Sequence, residues 1–135
     1  MRSTLTVSVR AVPQLDAIGI VSSDLGRTRA FYRLLGIEFA EGDDHVEAAM
    51  PNGLRLMVDT EAVVKSFQPE WTRATGNQLS LAFAFGSPPE VDETYARVVG
   101  AGFEGEKEPW DAFWGQRYAQ LRDPDGVPVD LFAAL

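Results

Sequence analysis

Apolar and polar residues alternate in several short segments of this chain, which is the pattern of strands that bury one face. The alternation is clearest at residues 79–85, where leucine and phenylalanine alternate with serine and alanine, and it recurs at residues 54–58 and 127–131. Residues 15–21 alternate more weakly, and their second face carries almost no side chain. Further short strands are expected at residues 37–40, 45–50 and 116–122, and one begins near Phe103.

Two segments have the spacing of amphipathic helices. In residues 25–35 one stripe of mostly apolar side chains recurs every three or four positions, with Ser23 or Asp24 as the predicted cap and Gly36 as the predicted stop. Residues 90–99 carry a similar stripe of valine and tyrosine. The pattern therefore predicts one helix in each half of the chain.

The order of strand, helix, strands and turn occurs twice, so the chain contains a weak internal repeat. Residues 23–36 correspond to residues 87–100, and the Pro-Asn-Gly-Leu-Arg-Leu run at 51–56 corresponds to the Pro-Asp-Gly-Val-Pro-Val run at 124–129. A repeat of this size indicates two copies of one supersecondary unit that share a core. Each half is therefore interpreted as a β-α-β-β-β module. The expected organisation is an N-terminal arm or short strand at 1–13 and one domain at 14–134, with modules at about 14–60 and 77–134 and a linker at 61–76.

Two motifs in order carry a family resemblance. The first is Ser-Asp-Leu, Phe-Tyr and Leu-Gly within residues 23–36, and the second is Trp-Gly-Gln-Arg-Tyr-Ala-Gln-Leu-Arg-Asp-Pro-Asp-Gly at residues 114–126. Together they resemble the vicinal oxygen chelate superfamily, which includes glyoxalase I, extradiol dioxygenases, fosfomycin resistance proteins and bleomycin resistance proteins. The resemblance covers about residues 14–134. It implies an α+β fold in which two βαβββ modules form a curved mixed sheet around a cup-shaped cleft.

The resemblance also identifies positions where a metal would be held. In that superfamily the ligands come from inward-facing positions on the first and last strand of each module. Carried over by position, these sites fall on Ala17, Met57, Ser80 (or Gln78) and Asp130. Divalent metals prefer imidazole and carboxylate donors, and only Asp130 supplies one. We therefore expect no divalent metal in the cup and no cofactor.

Composition narrows the possible partners. A net charge of -8 argues against nucleic acid and anionic membranes, because neither would be attracted to the protein. The chain has no cysteine, which excludes disulfides, thiolate metal sites and a cysteine nucleophile. No apolar run is long enough for a secretory signal or a membrane span, so we expect a soluble cytoplasmic protein. The chain's one histidine, His45, is interpreted as a solvated turn residue and not as a ligand.

The expected cup has a floor of small residues and an aromatic rim. Alternation along the strands places Ala17, Gly19, Ser80 and Ala82 on the floor, which leaves volume for a ligand unless bulky residues of the opposite module fill it. The aromatic rings of the rim could stack a planar ligand, cover ordinary core or form a dimer seam. The residues predicted to bind the ligand are Arg55, Met57, Trp71, Gln78, Ser80, Trp110, Trp114, Tyr118 and Asp130.

These observations support a ranked set of functions. The first is a small-molecule binding protein of the sequestering, resistance type, with a planar aromatic or cationic ligand. The alternative is a metal-independent lyase, isomerase or epimerase, in which Asp130 is a weak candidate for the acid or base and Arg55 stabilises an oxyanion, unless these two side chains pair with each other. A metal-dependent glyoxalase or dioxygenase comes third. We also expect a homodimer, because a small two-module domain leaves sheet edges exposed. The modules could pack within one chain or across a swapped dimer.

Overall fold

The computed structural model describes residues 13–76 and 78–135. Within them the chain forms seven strands and three helices. The strands are β1 (Ala17–Ser22), β2 (His45–Ala49), β3 (Arg55–Thr60), β4 (Leu81–Ala84), β5 (Gly105–Ala112), β6 (Gln116–Arg122) and β7 (Pro128–Ala134). The helices are α1 (Leu25–Leu34), α2 (Glu61–Phe67) and α3 (Pro88–Gly100). None of these helices is long and apolar enough to cross a bilayer.

The strands belong to two mixed sheets, one from each half of the chain. The first sheet has the order β1-β3-β2, and the second has the order β4-β7-β6-β5. In each sheet the strand that precedes the module's main helix pairs in parallel with the module's last strand. The other neighbours are antiparallel. This arrangement confirms the predicted α+β fold of two related modules.

The first module has three strands in the described residues, because the segment predicted as a strand at 37–40 is irregular. The segment runs beside β2 and makes one backbone hydrogen bond to it, from Ala40 N to Glu47 O at 2.9 Å. The Arg29 guanidinium donates to the carbonyl oxygens of Phe39, Ala40 and Gly42 at 2.8 to 3.2 Å. A side chain therefore occupies acceptors that a regular ladder would use.

The second difference from the predicted elements lies in the linker at 61–76, which contains helix α2. Thr60 caps this helix, and its side chain accepts a hydrogen bond from Val63 N at 3.2 Å. Val64 is the buried residue of α2, so the helix has no long apolar stripe that periodicity could detect. An N-terminal arm is predicted at residues 1–13. Residues 1–12 of it lie outside the described residues.

Alternation along the strands separates a core-facing side from an exposed side. Leu56 and Val58 of β3 are 4% and 0% exposed, whereas Met57 between them is only half-buried. Val129 and Leu131 of β7 are both fully buried. The other side of each sheet faces away from this core and toward the predicted cup, and we call it the inner face. The predicted orientation of both strands agrees with this burial.

Helix α1 connects the two modules through one shared core. It begins after Asp24, whose side chain accepts from Arg27 N at 3.2 Å. Its Phe31 and Tyr32 are completely buried. The Phe31 ring packs edge-on against Phe103 of the second module, with centroids 5.3 Å apart.

A buried hydrogen bond reinforces this contact. The Tyr32 hydroxyl donates to Asp123 Oδ2 at 2.9 Å, and the other carboxylate oxygen accepts from the backbone N–H groups of Asp125 and Val127 at 2.8 and 3.0 Å. Burial raises the pKa of both Tyr32 and Asp123, because each side chain is removed from water. Helix α1 is thereby attached to the turn that precedes β7.

We expect Tyr32→Phe to lower the free energy of unfolding by about 1–2 kcal/mol, because a buried carboxylate then lacks one donor. Urea denaturation followed by tryptophan fluorescence measures this change. The matched control is Tyr95→Phe, since the Tyr95 hydroxyl makes no hydrogen bond to the described residues. Equal stability of Tyr32→Phe and the unmodified protein would show that the buried bond does not stabilise the fold.

Candidate functional site

The inner face of the first sheet carries a connected set of charged side chains. Arg55 Nη1 donates to Glu47 Oε1 at 2.6 Å, and its Nη2 donates to Asp16 Oδ2 at 2.7 Å. Gly19, Met57 and Glu47 are neighbours across β1, β3 and β2. The guanidinium of Arg55 is therefore neutralised by carboxylates of its own sheet.

His45 belongs to the same set and lies in a strand, so its assignment to a turn was wrong, whereas its side chain is 41% exposed, as expected of a solvated residue. It is the first residue of β2 and lies opposite Asp59 of β3. Its Nδ1 is 2.6 Å from Asp59 Oδ1, and its Nε2 is 2.7 Å from Glu47 Oε2. Hydrogen bonds to Glu47 and Asp59 raise the pKa of His45, and the bond from His45 lowers the pKa of Glu47. The available signal was the spacing of His45 and Glu47, which places both on one face of a strand.

The inner face of the second sheet is aromatic. Four rings, which we call the aromatic platform, pack against one another there: Trp110, Trp114, Tyr118 and Phe132. Centroids of Trp110 and Trp114 are 6.0 Å from each other and 5.5 and 5.3 Å from Tyr118. Tyr118 stacks with Phe132 at 6.2 Å and an interplanar angle of 21°. Trp114 is 48% exposed and Phe113 beside it is 96% exposed, so the platform reaches the protein surface.

Asp130 lies at the edge of the aromatic platform. It is only 8% exposed, and its Oδ2 accepts a hydrogen bond from the Tyr118 hydroxyl at 2.6 Å. Burial and the neighbouring carboxylate raise the pKa of Tyr118 to about 12. Gln120 Nε2 lies 3.4 Å from the other carboxylate oxygen, and no cationic side chain of the described residues pairs with Asp130. Burial of a carboxylate without a cation is costly, so Asp130 is a candidate functional group.

The structure divides the predicted ligand-binding residues among different places. Trp110, Tyr118 and Asp130 are together on the inner face of the second sheet, and Trp114, in the turn between β5 and β6, packs against the first two. Ser80 and Arg55 line a cleft of about 400 Å³ between β4 and the strands β1 and β3, alongside Ile18, Leu81 and Phe83.

The remaining candidates are placed elsewhere. Met57 is on the inner face of the first sheet. Trp71 and Gln78 line a separate cavity of about 360 Å³ beside the linker, where the Arg73 guanidinium lies 5.4 Å from the Trp71 ring centroid. Arg55 and Asp130 do not pair with each other, because Arg55 is bound by carboxylates of its own sheet.

Sequence reasoning missed Lys107, whose Nζ lies 4.0 Å from the centroid of the Trp110 ring. Lys107 faces Gln120 across the β5–β6 pair. The pairing register shifts between Gly105 and Lys107 and again between Lys107 and Trp110. These irregularities interrupt the alternation of β5, so periodicity carried no signal for Lys107.

A family model for the Glyoxalase/Bleomycin resistance protein/Dioxygenase superfamily matches residues 14–131. The chain belongs to this superfamily. No curated protein matches the chain.

Solved structures have the same fold at low sequence identity. A glyoxalase/bleomycin resistance protein/dioxygenase family enzyme from Burkholderia phytofirmans PsJN has a TM-score of 0.81 at 17% identity, covering 91% of this chain and all of the other. A glyoxalase-related enzyme from Fulvimarina pelagi has a TM-score of 0.80 at 19% identity, with coverage of 90% and 88%. A glyoxalase/bleomycin resistance protein/dioxygenase from Nocardioides has a TM-score of 0.74 at 23% identity, with coverage of 94% and 87%. At these identities the likeness shows the fold alone.

The donor set of this superfamily member does not fit the metal that the vicinal oxygen chelate fold implies. Of Ala17, Met57, Ser80 and Asp130, only Asp130 is a hard oxygen donor with a formal charge. Gln78, the other position considered, lines the cavity beside the linker. The described residues contain no group of three or more His, Cys, Asp or Glu side chains that could hold a metal ion.

We expect the imidazole of His45 to titrate above 6.5 in the folded protein, because two carboxylates stabilise its charged form. A raised pKa means that His45 stabilises the fold below about pH 6.5 and that this contribution is lost as pH rises through the folded pKa. NMR titration of this one histidine measures the pKa. Glu47→Gln and Asp59→Asn should each lower it, whereas Asp111→Asn, a remote carboxylate beside Arg117, should not. Titration at or below 6.5 would exclude the arrangement described.

Proposed function

We propose that this protein is a small-molecule binding protein of the sequestering, resistance type, with a planar aromatic ligand held against the aromatic platform. The observation that carries the proposal is the set of contiguous rings on a partly exposed sheet face beside the buried carboxylate of Asp130. A soluble protein rarely leaves several large rings together at its surface unless they bind something. Superfamily membership is consistent with this proposal and does not select among functions.

The ring geometry supports stacking of a planar molecule on one ring, with the edges of the neighbouring rings beside it. Trp110, Trp114 and Tyr118 meet edge to face, with interplanar angles of 67° to 89°. Trp114 keeps about half of its surface exposed, so a ligand can cover it. An aromatic pair contributes about 0.5–1.5 kcal/mol beyond the burial of apolar area, so most of the affinity would come from that burial.

Polar groups near the rings would orient the ligand. Binding sites for small molecules combine apolar walls with a few placed polar groups. Asp130 provides such a group, because the Tyr118 hydroxyl and Gln120 leave it without a countercharge.

The alternative of a metal-independent lyase, isomerase or epimerase has less support. That mechanism needs the Arg55 guanidinium to stabilise a developing oxyanion. Arg55 is already hydrogen-bonded to Asp16 and Glu47. Its charge is therefore offset before any substrate arrives, and the geometry favours binding over catalysis.

We also propose that the protein is a homodimer and that the cup is assembled from two chains. In the single chain, the cleft between the modules is lined by neither Met57 nor Asp130. The strands β1 and β4 each pair on one side only among the described strands. Phe113 and Leu135 are 96% and 63% exposed near the aromatic platform, which favours a partner surface there.

We expect planar aromatic compounds to quench tryptophan fluorescence saturably in a screen of aromatic natural products and small keto acids. Trp114→Ala should weaken binding of any active compound about tenfold, because it removes one stacking surface. Trp71→Phe is the matched control, since Trp71 lies in the cavity beside the linker, and it should retain binding. Addition of EDTA should change nothing. Turnover of a screened compound that is abolished by Asp130→Asn would replace the binding proposal with an enzymatic one.

We expect sedimentation velocity at micromolar concentration to show a species of about twice 14.8 kDa. Phe113→Asp should shift the distribution toward the monomer, because a charge then replaces an exposed apolar ring. Lys65→Asp on α2 is a control substitution that should leave the dimer intact. Only a 14.8 kDa species for the unmodified protein would rule out the dimer.

A further inference from the structure

The inner faces of the two sheets differ in whether their charged groups are paired. On the first sheet, both nitrogens of His45 and the guanidinium of Arg55 are bound by carboxylates. On the second sheet, neither Lys107 nor Asp130 makes an ion pair with the described residues. The free capacity to bind a charged or polar ligand therefore lies on the second sheet, beside the aromatic platform.

The two unpaired groups lie in one row across three adjacent strands. Asp130 of β7 is opposite Gln120 of β6, and Gln120 is opposite Lys107 of β5. Adjacent strands are about 4.8 Å apart, so the backbones of Asp130 and Lys107 are separated by about 10 Å. The face thus presents an anion at one end, a cation at the other and an amide between them.

Lys107 also covers a ring on which a ligand would stack. Its ammonium is 4.0 Å from the centroid of Trp110, and the side chain is exposed to solvent. An exposed cation–π contact is weak, whereas a hydrogen bond between an ammonium and a carboxylate is stronger when a ring shields it from water. A ligand with an anionic acceptor can therefore draw Lys107 away from Trp110 at little cost. A purely cationic ligand would be repelled at that end.

We propose that this face selects planar aromatic ligands that carry an anionic acceptor at one end and a hydrogen-bond donor at the other. Lys107 binds the acceptor, Asp130 binds the donor, and the plane between them stacks on the Trp110 ring that Lys107 uncovers, with the Trp114 ring perpendicular beside it. The inference rests on the proposed binding function and names its ligand class. Lys107 is the residue that determines specificity, and the ligand is zwitterionic or polar at both ends and not simply cationic.

Four probes on one two-ring scaffold test the proposal: 6-amino-2-naphthoate, 2-naphthoate, 2-naphthylamine and naphthalene. Isothermal titration calorimetry measures each against the unmodified protein, Lys107→Met and Asp130→Asn. Lys107→Met keeps the length of the side chain and removes its charge. It should weaken both carboxylates about tenfold or more and leave 2-naphthylamine and naphthalene unchanged or tighter. Asp130→Asn should weaken the two amines and spare 2-naphthoate.

The matched control is Lys65→Met, because Lys65 lies 6.0 Å from the Trp71 ring, away from the aromatic platform. It should leave all four affinities unchanged. Lys107 is exposed, so Lys107→Met is expected to fold, and urea denaturation checks this for each variant.

The outcomes distinguish failure of the proposed ligand class from failure of the proposed binding function. If the probes bind and Lys107→Met changes all four equally or none, the ligand class is wrong while the binding function stands. If the unmodified protein binds none of the four and no compound of the wider aromatic screen, the binding function fails and the specificity assignment fails with it.

Discussion

The hydrogen bond from Tyr32 to Asp123 lies inside the core that the two modules share, and the position of the candidate site depends on it. It attaches α1 to the turn before β7, and Asp123 also accepts the backbone N–H groups of that turn. Because the turn is held, β7 enters the second sheet in one register. That register places Asp130 between Ala82 and Gln120. A one-residue slip would turn Asp130 toward the core and remove the carboxylate from the inner face.

The inner faces of the two sheets differ in whether their charged side chains are paired, although the same alternation produces both faces. Every second residue of a strand faces away from the core, so polar and aromatic side chains are collected there without disturbing the packing. On the first sheet the collected charges neutralise one another through Glu47. On the second sheet they remain separated across the width of the aromatic platform. The chain has the superfamily fold, while the residues that the resemblance assigns to its metal positions do not form a suitable donor set, as expected when function depends on the site and not on the scaffold.

The orientation of the candidate site residues in β3 and β7 was predicted correctly from the sequence. Alternation placed Met57 and Asp130 on the inner faces, and the rings near residues 110–118 belong to one cluster. Trp71 and Gln78 were grouped with them by residue type, and the linker carries both to a separate cavity. The path of a linker depends on contacts such as that of Arg73 with Trp71, which have no periodic signature.

The sequence by itself determined the fold class, the main helix of each module and the orientation of β3 and β7, because these depend on local spacing of apolar residues. Only the tertiary structure decided that residues 37–40 stay irregular and that α2 forms. The contact of His45 with Asp59 and that of Lys107 with the Trp110 ring were likewise visible only in the tertiary structure. These features depend on partners that are distant in the chain or on an irregular strand pairing. Neither leaves a pattern in consecutive residues, since the physical cause is a contact made only after the sheets have formed.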